Sequence, residues 1–569
     1  MAETESTWVS RAADAVISHA RRHDLKTIVC ASGISPSGPI HLGNLREVMT
    51  AHFVSEEIKS RGYNAVHLHS WDDYDRLRKV VAGLDEGLAA HIGRPLAAVP
   101  DPYGQLDSYA SHFIAEFTGP LRRMAVHMRE VRQSEQYPKG VYNGFIRLAM
   151  DQRGEIFDIL AGFQTVGRHE QPLTERRAAY YPFKPYCHDC GKDLTAVTGY
   201  AKDIVYYDCR CGHSGRMSIA DGLPISGKLV WKVDWPMRWV YEDVDFEPAG
   251  EDHHAPSSSF ASGSVLIDKI FGGTAPYSFA YTFVGLAGGS SKMSSSAGGV
   301  AIPGTALDVL EPAVLRWLYL RRLPSQSFTI DLSPRAVQRL YDEWDQFLER
   351  ASSAGASAAD ARMAGMCLRT SAGIVAHSTT PVPFRLLASI ADLSQGNRSQ
   401  IDRLTRAHLA ESKALPEGEE KLLESLEPRL TCAINYTTRL VPPSERTHVR
   451  SHFSEATWQA LDERTQEGVR MLDSRLDNAW TVDGLTQLVY AIPKILCGLP
   501  EDAAPTAELK KAQRAFFVSL YNLLCSSDTG PRLPTLLLSI GPERSHYLLT
   551  GKATPPASGG SGPGPHRAP

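Results

Sequence analysis

Along the first eighty residues the spacing of apolar positions switches from helical to extended and back. Thr7 to Arg22 places Trp8, Ala12, Val16 and Ile17 on one helical stripe. Thr27-Ile28-Val29 is β-branched and reads as a strand. It enters a run of small residues, Ser32-Gly33-Ile34-Ser35-Pro36-Ser37-Gly38-Pro39-Ile40-His41-Leu42-Gly43-Asn44. Beyond that turn, Leu45, Val48, Met49 and Phe53 return to helical spacing and predict an amphipathic helix. It stops at Arg61-Gly62, where glycine suits a C-terminal cap. Ala65-Val66-His67-Leu68 reads as the next strand and runs into Trp71-Asp72-Asp73-Tyr74-Asp75. Strand, turn, helix, strand is the opening of a doubly wound parallel sheet, whose ligand crevice lies at the carboxyl ends of its strands.

The pattern then loosens. Residues 82–230 read as an insertion, helical and loop-rich at first, with basic patches at Arg122-Arg123, Arg129 with Arg132, and Arg176-Arg177. Such patches are solvated helix faces more often than nucleic-acid contacts. Trp231-Lys232-Val233-Asp234-Trp235-Pro236-Met237-Arg238-Trp239 carries three tryptophans, which serve either as core or as walls around an aliphatic side chain. Pro276 to Phe283 alternates as a strand with aromatic residues on one face, and leads through Gly285 and Gly288-Gly289 to Ser291-Lys292-Met293-Ser294-Ser295-Ser296. From Ala306 helices dominate, among them Pro312–Arg322, Val337–Leu348, Leu485–Ile492 and Ala507–Leu524. The resulting layout is an α/β domain over 1–305, a helical stem over 306–395, a second helical domain over 396–550, and a Gly/Pro/Ser-rich tail over 551–569 expected to be disordered.

Composition narrows the setting. A chain of 569 residues exceeds one core, and 43% hydrophobic with 22% charged residues describes a globular protein. A net charge of −4 excludes a uniformly basic nucleic-acid face, so any such surface is local. No apolar run approaches the roughly 18 residues of a membrane helix, and Met1-Ala2-Glu3-Thr4-Glu5 lacks a signal-peptide core. Nine cysteines, five of them isolated, point to reduced thiols and a cytoplasmic location.

Two features carry chemistry. The small-residue turn opens onto a helix N-terminus, whose free N–H groups and dipole attract phosphate. Lys292 in its Gly/Ser-rich loop, about 250 residues later in the sequence, suggests a nucleotide gripped from two sides. Separately, Cys187-His188-Asp189-Cys190 and Cys209-Arg210-Cys211 flank the β-rich Ile204-Val205-Tyr206-Tyr207. They look like the two knuckles of a zinc ribbon, with Cys187, Cys190, Cys209 and Cys211 as a closed, structural shell. His213 is close enough in sequence to replace one ligand, and redox pairing is the alternative use of these thiols.

These residues also support a resemblance. His41-Leu42-Gly43-Asn44 resembles the HIGH signature of class I aminoacyl-tRNA synthetases, and Lys292-Met293-Ser294-Ser295-Ser296 resembles their KMSKS signature. Ser70-Trp71-Asp72-Asp73-Tyr74-Asp75, Trp231 to Pro236, and Glu247-Pro248 with Asp252-His253 resemble the class I lysyl-tRNA synthetases, over about residues 7–323. The resemblance implies a Rossmann-like (HUP-type) catalytic domain and an α-helical anticodon-binding region. It implies two steps: the lysine carboxylate attacks the α-phosphate of ATP, releasing diphosphate, and the 3′ end of tRNA(Lys) takes the lysyl group. Catalysis would fall to His41, Asn44 and Lys292, and ATP to Pro36, Gly38, His41, Gly43, Asn44, Lys292, Met293, Ser294 and Ser295. Lysine would meet Gly33, Ser35, Asp73, Trp231, Trp235, Asp252, His253 and Tyr281. Asp72, Asp73 and Asp252 are all candidate anions for the ammonium, and the sequence does not choose among them. ATP brings Mg²⁺ with it; a monomer and no membrane are expected. Asn44 and Ser295 depart from the general signatures, and Ala297-Gly298-Gly299 follows the lysine loop in place of a more usual Lys-Gly. The competing readings are a related enzyme activating another carboxylate and a catalytically silent RNA-binding relative.

Overall fold

The computed structural model describes residues 6–22, 27–163, 171–287, 301–380, 382–409 and 419–552. Lys292, Met293, Ser294 and Ser295 lie outside the described residues, as does most of the C-terminal tail. The chain divides into two units, Met1–His377 and Ser378–Pro569.

The first unit opens with helix α1 (Trp8–Arg21), capped by the Thr7 hydroxyl, which accepts from Ser10 N–H. Strand β1 (Ile28–Ile34) leads through the small-residue turn to α2 (Leu42–Ser60), and β2 (Ala65–Trp71) follows. Gly62 adopts φ +85°, a left-handed conformation that closes α2 as the sequence predicts. Helix α3 (Tyr109–Arg123) precedes β3 (Arg129–Arg132), and after the insertion α4 (Trp231–Tyr241) precedes β4 (Val244–Phe246). The four strands are parallel, in the order β3-β2-β1-β4. Strand order reverses between β1 and β4, and such a switch point opens a crevice at the carboxyl ends.

Alternation along β1 assigns its two faces. Val29 and Ala31 pack with Trp235 and Trp239 of α4, whereas the Cys30 thiol meets Ser55 of α2. Burying a side chain of valine size or larger contributes roughly 1.5–3 kcal/mol. Where the β1–β4 register shifts, Asp245 accepts from Val29 N–H at 2.8 Å and keeps the strands joined.

Three expectations need correcting. The helix after the turn is not amphipathic: α2 buries Arg46, Thr50, His52, Ser55 and Glu57 as well as its apolar residues. It lies between the sheet and neighbouring helices, so no face is left for water. Pro276–Phe283 is not a continuous strand; only Ala280–Tyr281 pairs with Ala249–Gly250, with an isolated bridge from Tyr277 to Phe246. Strands also persist beyond residue 306, since Phe328–Ile330 pairs in parallel with Val284–Leu286.

The insertion holds a three-stranded antiparallel sheet, Thr195–Ala201, Ile204–Cys209 and Ser214–Ser218, and a core built on Tyr137, Ile146, Val205 and Ile219. Four arginines of its basic patches have partners within the protein, while Arg122 is exposed. Arg129 pairs with Glu242, Arg132 with Asp73 and Arg177 with Asp158, while Arg123 donates to Leu307 O. Among its described residues the second unit is helical throughout, with Leu387, Ile390, Leu430, Leu485, Ile492 and Leu520 in its interior.

Candidate active site

The turn after β1 ends on His41, the N-cap of α2. The His41 Nδ1 accepts from Asn44 N–H at 3.3 Å, and the Asn44 Oδ1 accepts from His41 N–H at 3.3 Å, a reciprocal capping box. Burial lowers the His41 pKa to about 4, so the ring is neutral at pH 7. A neutral imidazole that accepts at Nδ1 carries its proton on Nε2. His41 is thus a donor at a helix N-terminus, a fitting arrangement for phosphate. Asn44 closes the cap with its side chain, Gly43 sits in the first turn of α2, and Leu42 N–H donates to Ala301 O at 2.9 Å. Pro36 and Gly38 are buried in the turn, and the Ser37 carbonyl accepts from Tyr109 OH at 3.0 Å.

Beside this turn, between the sheet face and α4, lies a cavity open to solvent and lined by Gly33, Glu47, Asp72, Trp231, Trp235, Arg238, Glu247 and His253 among others. Spacing on α4 creates one wall: Arg238 and Trp239 lie three and four residues after Trp235, which lies four after Trp231, so all share a face. Trp231 and Trp235 stack with centroids 5.1 Å apart, and His253 stands 5.5 Å from the Trp235 ring. A Cβ on Gly33 would meet only ordinary contacts, 3.5 Å from Ser70 O, and its φ is not left-handed. Its missing side chain therefore keeps space over the strand end.

The cavity's acids fall into two kinds. Asp72 pairs with Arg238 at 3.0 Å and Lys228 at 3.4 Å. Burial opposes its charge, but the two cations outweigh burial and hold its carboxyl below the usual range. Glu242 pairs with Arg129 at 2.9 Å. Glu47 and Glu247 form no ion pair among the described residues. Glu47 Oε1 accepts from Gly33 N–H at 2.6 Å, and its Oε2 from Tyr281 OH at 2.8 Å. Enclosure pushes the Glu47 pKa up to about 8, against the pull of those two donors and with the push of Glu247. Burial raises Glu247 as well, although the Trp239 indole N–H donates to it at 2.6 Å.

Set against the expected residues, Gly33, Trp231, Trp235 and His253 meet at the cavity. Tyr281 reaches it through Glu47, and Ser35, half-buried just after β1, is not among its lining residues. Asp252 is exposed on the short helix Glu251–His254. Asp73 does other work: its oxygens accept from Arg132 Nε at 2.8 Å, Ser134 N–H at 2.8 Å and Ser134 OH at 2.6 Å, which tie β2 to β3. Glu47 and Arg238 were given no site role from the sequence, and Glu247 entered only as part of the segment that carries the resemblance. The one signal for Glu47 is its place one turn past the HIGH-like tetrad.

Away from the cavity, the four expected cysteines converge. All four Sγ atoms lie within 4.8 Å of one another, and the Cys187–Cys211 and Cys190–Cys209 pairs stand 3.7 Å apart. A tetrahedron with bonds of about 2.3 Å has edges of about 3.8 Å, so the set fits one metal ion, while disulfides need about 2.05 Å. Gly191 (φ +71°) and Gly212 (φ +94°) make the tight turns that follow each pair. His213 is outside the cluster, and its carbonyl accepts from Cys209 N–H at 2.8 Å.

Comparison with known proteins gives this geometry a family. A lysine–tRNA ligase of Streptomyces coelicolor is 44% identical over 96% of this chain and 98% of its own length. Those of Pyrococcus furiosus and Treponema pallidum are 32% and 31% identical, each over 98% of its own length and 94% and 95% of this chain. A model of the family described as tRNA synthetases class I (K) matches residues 6–368, which contain both the His41 helix start and the tryptophan-walled cavity, and the chain belongs to that family.

Proposed function

We propose that the chain is a lysine–tRNA ligase: it activates L-lysine with ATP and transfers the lysyl group to the 3′ end of tRNA(Lys). The observation that carries this reading is Glu47, a carboxylate facing an aromatic-walled cavity and forming no ion pair among the described residues. An unpaired, desolvated carboxylate is costly, and a substrate ammonium relieves it. The stacked Trp231 and Trp235 rings suit the four-carbon stem and attract the charge at its end. Glu47 and Tyr281 are therefore assigned the ammonium, ahead of Asp72, whose charge is already met, and of Asp73, whose oxygens are taken up.

Gly33, Ser35 and His253 complete the lysine site, with the Gly33 N–H already donating to Glu47 at 2.6 Å. Lysine oxygen attacks the α-phosphorus, the α–β bridging bond breaks, and diphosphate leaves. Such transfer depends on positioning and charge neutralisation. His41 Nε2–H donates to the phosphates, Gly43 lets the nucleotide approach the backbone, and Lys292 with Met293, Ser294 and Ser295 is assigned the opposite side. Removing one donor of this kind costs about 10²–10³ in rate. Mg²⁺ would enter with ATP as a counter-charge. Zinc is the ion that best suits four thiolates, in a closed structural role. The helical residues 396–550 are assigned to anticodon binding, with the protein acting as a monomer in the cytoplasm.

The test is tRNA charging with each of the twenty amino acids, alongside ATP–diphosphate exchange with and without tRNA. Lysine-dependent charging of tRNA(Lys) is expected. Charging with a different amino acid, or with none, overturns the reading.

A further inference from the structure

We infer that Arg46 is a positioning residue of the lysine site: through the carbonyls of the Leu323–Gln326 turn, its guanidinium sets Tyr281 over Glu47. This rests on the assignment of Glu47 and Tyr281 to the substrate ammonium given above.

Arg46 lies on α2, directly before Glu47, and is 4% exposed. It forms no ion pair among the described residues. Its guanidinium donates instead to three carbonyls, Leu323 O at 2.7 Å, Pro324 O at 2.8 Å and Gln326 O at 3.0 Å. A buried arginine without a carboxylate is an expensive way to hold a turn that apolar packing could hold. What the guanidinium adds is a rigid planar fork that fixes several acceptors at once. The ring of Phe328 stacks beneath it, 5.1 Å from the guanidinium carbon.

Pro324 is the link. Besides Arg46, its carbonyl accepts from the N–H of Thr282 at 2.9 Å and from the Thr282 hydroxyl at 3.3 Å. Thr282 is the residue after Tyr281. Two adjacent residues of α2 thus reach two adjacent residues of the opposite segment: Glu47 takes the Tyr281 hydroxyl, and Arg46 holds the backbone next to it. Beyond this point Val284–Leu286 pairs with Phe328–Ile330, so the segment is gripped on the far side as well. Without the fork, the Tyr281 hydroxyl loses its fixed distance to Glu47 while the rest of the pocket, built on β1 and α4, stays in place.

The experiment is charging kinetics on the full-length protein for the parent, Arg46→Gln, Arg46→Lys, Tyr281→Phe and the double variant Arg46→Gln/Tyr281→Phe. Displacement of a positioned group by about 1 Å costs up to about 10²-fold, so Arg46→Gln is expected to raise the lysine KM at least tenfold, with the ATP KM changed less than about threefold. Arg46→Lys should recover part of the loss. Because Arg46 acts through Tyr281, its effect should largely vanish in the Tyr281→Phe background, a coupling that a merely structural role would not produce. If Arg46→Gln does not fold, Arg46→Lys closes the same cycle. Additive effects, an unchanged lysine KM, or equal rises for lysine and ATP overturn the inference. A parent enzyme that charges no lysine overturns the underlying functional reading instead.

Discussion

At Glu47 a single carboxylate joins three parts of the chain, because its acceptors are filled by Gly33 of β1 and Tyr281 from 234 residues away. With its pKa raised to about 8 by enclosure, the free protein holds a proton there at pH 7. Binding a cationic side chain requires the ionised form, so lysine binding at pH 7 should release a proton and tighten as pH rises toward 8. Calorimetry in two buffers of different ionisation heat measures that release. Glu47→Gln should abolish it and raise the lysine KM about 10²-fold or more, the scale of breaking a buried charge pair, with little change for ATP. Proton release that persists in the variant would place the ammonium elsewhere. None of this was legible at the residue itself. A glutamate in a helical run reads as a solvent-facing position, and only the arrival of Tyr281 and α4 encloses it. His41 was legible, since a helix start after a strand confines its role. Its tautomer was not, because that depends on the Asn44 backbone N–H donating to Nδ1.

Among the elements, those defined by local spacing are the ones found where expected: α1, β1, β2 and the long helix Ala507–Cys525. The short strands around residues 249–286 and 328–330 were mistaken or missed, because two or three residues carry no periodicity and exist only through their partners. The cysteine knuckles lie between these cases. Their spacing is local, yet the 3.7 Å Sγ separations depend on the antiparallel sheet between them. Structural zinc is worth on the order of 10–16 kcal/mol to small domains that hold it. Cys187→Ser should therefore release the metal and loosen Cys187–Ser218, read as zinc content by elemental analysis and as new proteolytic cleavage within those residues. Full retention of zinc would remove Cys187 from the ligand set.

For the whole molecule, opposing groups set the pH range of stability. Burial holds His41 at about 4 and His69 at about 3, against 6.5 when unfolded. The unfolded chain therefore takes up protons that the folded chain refuses, and stability falls as pH drops below 6.5. Glu47 acts in reverse: its folded value of about 8 exceeds the unfolded 4.5, so its contribution is full below 4.5 and is lost as pH rises to 8. Thermal midpoints of the free protein should decline on both sides, and saturating lysine should flatten the limb between pH 7 and 8 while leaving the acid limb. An alkaline limb indifferent to lysine would contradict the site assignment. By itself the sequence determined the parallel α/β start, the helical C-terminal half, the phosphate-ready helix N-terminus and the cysteine pairs, because each is written in spacings of a few residues. Only the tertiary structure decided which acids face the cavity without an ion pair among the described residues, that Asp73 ties strands together, and that Arg46 grips a turn some 280 residues away. Those outcomes depend on which distant segments meet and exclude water, and no local pattern encodes that.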